Sequence, residues 1–195
     1  MHYASISERL KGLGSDKWFI HIEGAKRRAL GQDVIMLTIG EPDFPPPPAI
    51  LDVAAHQMCA GRTRYSNGRG EPEVLAAIAG RYAVRTGRQI STNQIAFLPG
   101  TQTALFATFM TIAEKGDDIL VPDPYYATYE GVIAATGASV IPVPLDPDKS
   151  FHLDAADLDR AATPNARALL LNTPSNPTGA VLSAEEIAEI GKICV

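Results

Sequence analysis

Cysteine is nearly missing from these 195 residues: Cys59 and Cys194 stand far apart and form no CxxC pair. That removes a disulfide framework and makes a reduced, cytoplasmic chain the expectation. Long apolar runs are missing too. No stretch approaches the roughly 18 consecutive apolar residues of a membrane span, and the opening MHYASISERLKGLGSDKW lacks the apolar core of a secretion signal. Positive charge is scarce, with 17 Lys and Arg against 22 Asp and Glu and a net charge of −5. A nucleic-acid partner needs a concentrated basic face, so none is expected; Arg62, Arg64 and Arg69 suit one phosphate or solvent at most. Nucleotide loops fail on spacing. No GxxxxGK(S/T) occurs, and Gly68-Arg69-Gly70 and Gly12-Leu13-Gly14 hold Glu73 and Lys17 where a dinucleotide fingerprint needs its third glycine. A G-x-S-x-G elbow is absent, so a hydrolase triad has no support. The histidines are scattered; His56 and Cys59 share a helix face, but two ligands do not make a zinc site and helix packing is expected of them.

What is present suits a folded protein: 46% hydrophobic and 20% charged residues. A chain of this length makes one domain, or one and a fraction, and buries about 70% of its unfolded surface without disulfide or metal. Five of the 15 prolines fall between positions 42 and 48. Proline lacks an N–H and fixes φ, so this stretch is a stiff connector. A boundary is placed there, dividing residues 1–45 from 46–195.

Ahead of the boundary, Ile6, Leu10, Leu13, Trp18, Ile22 and Ala25 make a loose helical pattern, and Val34–Ile39 reads as a short buried strand. Beyond it, helices are predicted at about 49–60, 71–86, 101–114, 126–135, 154–162 and 183–195. Strands are predicted at 94–98, 119–121, 139–143 and 167–171. Ser183 and Glu186 form a capping-box pattern. This alternation predicts an α/β fold, a mainly parallel sheet between two helical layers.

In such sheets ligands lie outside the carboxyl ends of strands. Three strand ends carry unusual loops expected on one sheet edge: Pro99-Gly100-Thr101-Gln102, Pro122-Asp-Pro-Tyr-Tyr126 and Asn172-Thr-Pro-Ser-Asn-Pro-Thr-Gly179. Gly100-Thr101-Gln102 enters a helix directly, so first-turn N–H groups and hydroxyls suit a phosphate, although the same residues also serve as a turn and cap. Tyr125 and Tyr126 can stack on a planar heterocycle or close the core. Asn176 offers an uncharged amide donor from a stiff loop.

Together these residues resemble the class I/II aminotransferases, pyridoxal 5'-phosphate enzymes of fold type I. The resemblance runs from Met36-Leu-Thr-Ile-Gly-Glu-Pro-Asp-Phe44 through Leu171-Asn-Thr-Pro-Ser-Asn-Pro-Thr-Gly179. It implies the large-domain fold of that type, with residues 1–45 a segment of the small domain and 46–195 part of the cofactor-binding domain. It implies that Gly40 lets backbone approach the substrate α-carboxylate and that Tyr65 reaches the cofactor phosphate of a neighbouring subunit in a homodimer. Gly100, Thr101 and Gln102 then hold the phosphate, Tyr126 stacks on the pyridine ring, and Asn176 bonds its phenolic oxygen. The family moves an amino group from an amino acid to a 2-oxo acid by a ping-pong route.

The same family needs a Schiff-base lysine, an Asp for the pyridinium nitrogen and an Arg for the α-carboxylate, all following the Asn-Pro-Thr-Gly loop. None of the six lysines (Lys11, Lys17, Lys26, Lys115, Lys149 and Lys192) fits that role. The helical pattern also runs to Val195 without a cap. The expectation is therefore the amino-terminal portion of a longer enzyme, inactive by itself, with no catalytic residue in this chain. A lyase of the same fold, or a non-catalytic binding module, are the alternatives. The substrate is not readable, and Arg69 is expected to face solvent.

Overall fold

The computed structural model describes residues 2–13 and 16–194; Gly14 of the Gly12-Leu13-Gly14 triplet and Val195 of the last predicted helix lie outside them. Two compact units emerge, one from residues 1–22 with 105–195 and one from residues 23–104.

The first unit holds a three-stranded parallel sheet in the order β2-β1-β3, with β1 Asp118–Asp123, β2 Ser139–Pro144 and β3 Ala166–Leu169. Ile119, Leu120 and Val121 of the central strand are all buried, as expected of a parallel strand covered on both faces. Successive side chains point to opposite faces, and the core divides accordingly. Leu120 packs with Val143, Leu153, Leu158, Leu182 and Ile190. That layer carries α7 (Ala155–Ala161) and α8 (Ala184–Ile193). Ile119 and Val121 pack with Phe109, Ile133 and Ala138 on the other face. There lie the later turns of α5 (Thr101–Ile112) and α6 (Tyr129–Ala134). The expected α/β/α layering is thus present.

The predicted capping box is formed: Ser183 N–H donates to Glu186 Oε2 at 2.6 Å while Glu186 N–H donates to Ser183 Oγ at 3.1 Å. The helix predicted at 126–135 starts three residues later, at Tyr129, because the chain beyond β1 first runs through Pro124 and the two tyrosines. Short helices α1 (Ser5–Arg9) and α2 (Phe19–Ala29) account for the loose amino-terminal pattern.

The second unit contains α3 (Pro48–Cys59) and α4 (Pro72–Thr86), each beginning on a proline whose missing N–H costs a helix nothing at that position. The proline run lies inside this unit. Two predicted strands are not formed. Val34–Ile39 forms no strand and bends at Thr38–Ile39, with Ile35 83% and Leu37 88% exposed. An apolar run becomes a strand only when another strand satisfies its backbone. At 94–98 the Ser91 capping box draws Thr92–Gln94 into a 3-10 turn instead, and Phe97 N–H donates to Arg69 O at 2.7 Å. Gly70 permits that approach: its φ is +112°, and a Cβ there would meet Phe97 Cβ at 2.9 Å. Leu75 and Ala79 are buried on one face of α4, as its periodicity predicts. His56 and Cys59 are both exposed, so the packing role expected of them is not what they do.

Candidate functional site

β1 and β3 run parallel side by side, so their carboxyl ends open on one edge of the first unit's sheet. Two of the three sequence-predicted loops leave from there. The third, Pro99–Gln102, follows no strand, because 94–98 is not one.

The loop after β3 is closed by its own hydrogen bonds. Gly179 N–H donates to Ser175 O at 2.9 Å, Ser175 N–H to Ala180 O at 2.9 Å, and Ala180 N–H to Thr178 Oγ1 at 3.2 Å. Thr173 Oγ1 accepts from Leu182 N–H at 2.9 Å and seals the base. The neighbours of Asn172 orient its carboxamide, whose NH2 donates to Pro174 O at 3.2 Å and whose oxygen accepts from Asn176 N–H at 2.9 Å. Thr173–Pro174 and Asn176–Pro177 are cis peptides. The result is a backbone held at several points with the Asn176 side chain left exposed at its tip.

The loop after β1 begins with the cis Asp123–Pro124 peptide and carries Tyr125 and Tyr126, both half-buried. The Tyr126 ring meets Tyr129 edge-on, with centroids 5.7 Å apart. Tyr125 Oη donates to Glu130 Oε1 at 2.6 Å, and Glu130 Oε2 accepts from Lys17 Nζ at 2.5 Å. Burial, and then the Glu130 carboxylate, push the Tyr125 hydroxyl well above its ordinary value. The Lys17 ammonium first, and the Tyr125 hydroxyl second, hold Glu130 below the usual carboxylate range. Burial also raises Tyr129. Thr128 Oγ1, between the tyrosines and α6, is a buried oxygen with no partner among the described residues.

Pro124, Tyr125 and Tyr129 from one loop, and Asn172, Ser175 and Asn176 from the other, line a shared cavity of about 30 Å³. That is room for a water-sized group. A planar ring system does not fit within this gap. No lysine lines the cavity among the described residues.

The other sequence-predicted residues belong to the second unit. Gly100 sits at φ +86° ahead of α5, with nothing within 4 Å of an added Cβ. Thr101 and Gln102 are exposed in the first helical turn, whose N–H groups have no intrahelical acceptor. The chemistry of that cradle, neutral donors and hydroxyls on open space, fits a phosphate. Gly40 is exposed with open space around its Cα, and Tyr65 is fully exposed. Arg69 is exposed but engaged, donating to Thr92 O at 3.4 Å and Asn93 Oδ1 at 3.2 Å rather than simply facing solvent. Thus Tyr126 and Asn176 stand on loops that share a cavity, Gly100, Thr101 and Gln102 are contiguous, and Gly40 and Tyr65 occupy separate segments. Sequence reasoning missed Glu130 and Lys17, whose contact spans 113 positions and leaves no local signal.

Five of the six lysines precede β1 or face a carboxylate. Lys115 precedes β1 at its amino end, and Lys11, Lys17, Lys149 and Lys192 face Glu8, Glu130, Asp154 and Glu189. No group of His, Cys, Asp and Glu among the described residues could hold a metal, and no helix there is long and apolar enough to cross a membrane.

A sequence model of aminotransferase class I and II matches residues 32–195. The chain is similar to an arginine–pyruvate transaminase of Pseudomonas aeruginosa, 34% identical over 195 residues, covering 100% of this chain and 50% of the relative. A probable aspartate/prephenate aminotransferase of Aquifex aeolicus is 36% identical over 168 residues, 86% of this chain and 43% of the relative. Among solved structures, an aspartate aminotransferase of Rhizobium meliloti superposes with a TM-score of 0.91 at 30% identity, over 100% of this chain and 48% of that one. The chain spans about half the length of the curated relatives it matches.

Proposed function

The chain belongs to the class I and II aminotransferases, and on that premise we propose that it is a portion of a pyridoxal 5'-phosphate enzyme moving an amino group between an amino acid and a 2-oxo acid. The observation that carries this reading is the closed Asn172–Gly179 loop, which leaves the Asn176 amide exposed beside the Tyr125–Tyr126 loop at the carboxyl ends of two parallel strands. Residues 1–45 are read as a segment of the small domain and 46–195 as part of the cofactor-binding domain.

The cofactor, when bound, supplies the electron sink for a carbanion at Cα of the amino acid. Gly100, Thr101 and Gln102 hold its phosphate with first-turn N–H groups, a hydroxyl and an amide. Tyr126 presents a ring face for stacking, and Asn176 donates its amide N–H to the phenolic oxygen. Gly40, lacking a side chain, lets backbone approach the α-carboxylate of the substrate. Tyr65, exposed on its loop, serves the phosphate of the neighbouring subunit in a homodimer. The Schiff-base lysine comes from sequence other than these 195 residues, a reading supported by the placement of Lys11, Lys17, Lys115, Lys149 and Lys192. The negative charge and absence of a long apolar helix among the described residues are compatible with a cytoplasmic enzyme without nucleic-acid or membrane partners.

The test uses pyridoxal phosphate with the 195-residue chain, followed by borohydride reduction and peptide mapping. Expected are saturable binding that inorganic phosphate competes away, weaker binding by about tenfold in Tyr126→Ala and Asn176→Ala, and no stoichiometric lysine label. Unchanged binding in both variants overturns the site. One stoichiometric lysine label overturns the assignment of that lysine to other sequence.

A further inference from the structure

Residues distant in sequence hold the loop after β1 and the helix that follows it. Arg9 Nε donates to Ala134 O at 3.2 Å and Arg9 Nη2 to Ala135 O at 3.0 Å, so a guanidinium from α1 caps the last carbonyls of α6. At the other end of α6, Lys17 Nζ reaches Glu130 in the first turn, and the second oxygen of that carboxylate takes the Tyr125 hydroxyl. The pair is partly shielded, with the Lys17 and Glu130 side chains 34% and 25% exposed, so water competes less than at an open surface pair. Trp18, Leu10 and Leu13 add apolar contact, lining a pocket with Ala127, Thr128 and Val132.

We propose that Glu130, held by Lys17, is a positioning residue that fixes the Tyr125–Tyr126 loop at the carboxyl end of β1, with Arg9 anchoring the far end of α6. The geometry dictates a division of labour. A six-residue helix is too short to hold itself, and a tyrosine loop without a ladder partner has no backbone register of its own. The carboxylate bridges both, using one oxygen for the amino-terminal segment and one for the tyrosine. As the Tyr126 ring adjoins that tyrosine in the chain, the grip sets where the ring stands. Its consequence for the cofactor rests on the proposed function; its consequence for the loop does not.

The experiment compares Glu130→Gln, Lys17→Met, Lys17→Arg and Tyr126→Ala in the 195-residue chain, with Lys11→Met as a control for charge lost from the same segment. Hydrogen exchange is read at the amides of residues 125–130 and, as an internal reference, at Ile119–Val121. Pyridoxal phosphate affinity is read separately. Expected are exchange at 125–130 faster by about tenfold in Glu130→Gln and Lys17→Met with the reference unchanged, recovery in Lys17→Arg, and a matching loss of affinity. In Glu130→Gln, the Tyr125 ring carbon bearing oxygen, followed by NMR of 13C-labelled tyrosine, titrates closer to ordinary tyrosine; because exposure of the ring also lowers it, this readout counts only where exchange at Ile119–Val121 is unchanged. Unchanged exchange at 125–130, or equal acceleration at the reference strand, overturns the positioning role. Faster exchange with unchanged affinity, while Tyr126→Ala does weaken binding, overturns its service to the cofactor. Unchanged affinity in Tyr126→Ala overturns the stacking assignment instead, and the exchange arm then decides the grip by itself.

Discussion

The Thr173 hydroxyl accepts the Leu182 N–H at 2.9 Å, joining the two ends of the loop that carries Asn176. Leu182 is 8% exposed and belongs to the core beneath the sheet, so its N–H has little water to turn to. Thr173→Val keeps the shape and removes the acceptor. The expected cost is about 1–3 kcal/mol, the range for a buried donor left unsatisfied. Thr173→Ser is expected to restore most of it. Urea denaturation of the three chains checks this.

The central strand should be the least tolerant element. Ile119 is fully buried between β2 and β3. Ile119→Val is expected to cost about 0.5–1.5 kcal/mol and Ile119→Ala about 2–5 kcal/mol, the larger value reflecting the cavity left behind. Denaturation midpoints at constant slope measure both.

Acid should loosen the amino-terminal grip. Glu130 is held below the usual carboxylate range by Lys17 and then Tyr125. A carboxylate depressed in the folded state contributes stability above its unfolded value, and this is lost as pH falls through the folded one. The difference in urea midpoint between the unaltered chain and Glu130→Gln is therefore expected to shrink as pH drops below about 4. A difference that stays constant into acid refutes the linkage.

Alkali acts on the other partner with the opposite sign. Tyr125 is raised, so its stabilising effect is complete below the unfolded tyrosine value near about pH 10 and declines above it, where the unfolded chain gives up a proton that the folded chain keeps. Tyr125→Phe is expected to flatten that decline.

The second unit exposes Ile35 (83%), Leu37 (88%), Phe44 (82%) and Val84 (89%). Scattered apolar residues are ordinary on a surface, but this many from one unit with little buried core favour association. The 195-residue chain is expected to self-associate as its concentration rises, seen by sedimentation or light scattering. A monodisperse monomer with a cooperative melt counts against it.

Much of this was legible without coordinates, and the reasons are local. β1 could be read because burial on both faces demands a continuous apolar run, Ile119-Leu120-Val121. The capping box of α8 could be read because Ser183 and Glu186 are three residues apart and need nothing else. The Asn172–Gly179 motif announced a constrained loop through its own prolines and glycine. The two failed strands mark the limit of that reasoning. Val34–Ile39 is apolar enough for a strand, but strand formation needs a ladder with another strand, and this segment is not assigned to one.

By itself, then, the scarcity of cysteine, basic charge and long apolar runs excluded broad classes, and periodicity with loop motifs determined an α/β chain resembling one enzyme family. Tertiary structure decided what depends on distant residues. It placed Leu120 on one face of the sheet and Ile119 and Val121 on the other. It brought Lys17 to Glu130 across 113 positions and Glu130 to Tyr125, and turned Arg69 toward Asn93. Propensity, capping and turn chemistry act over a few residues and are written in the chain; a charge finds its partner only where folding brings distant segments within hydrogen-bond reach.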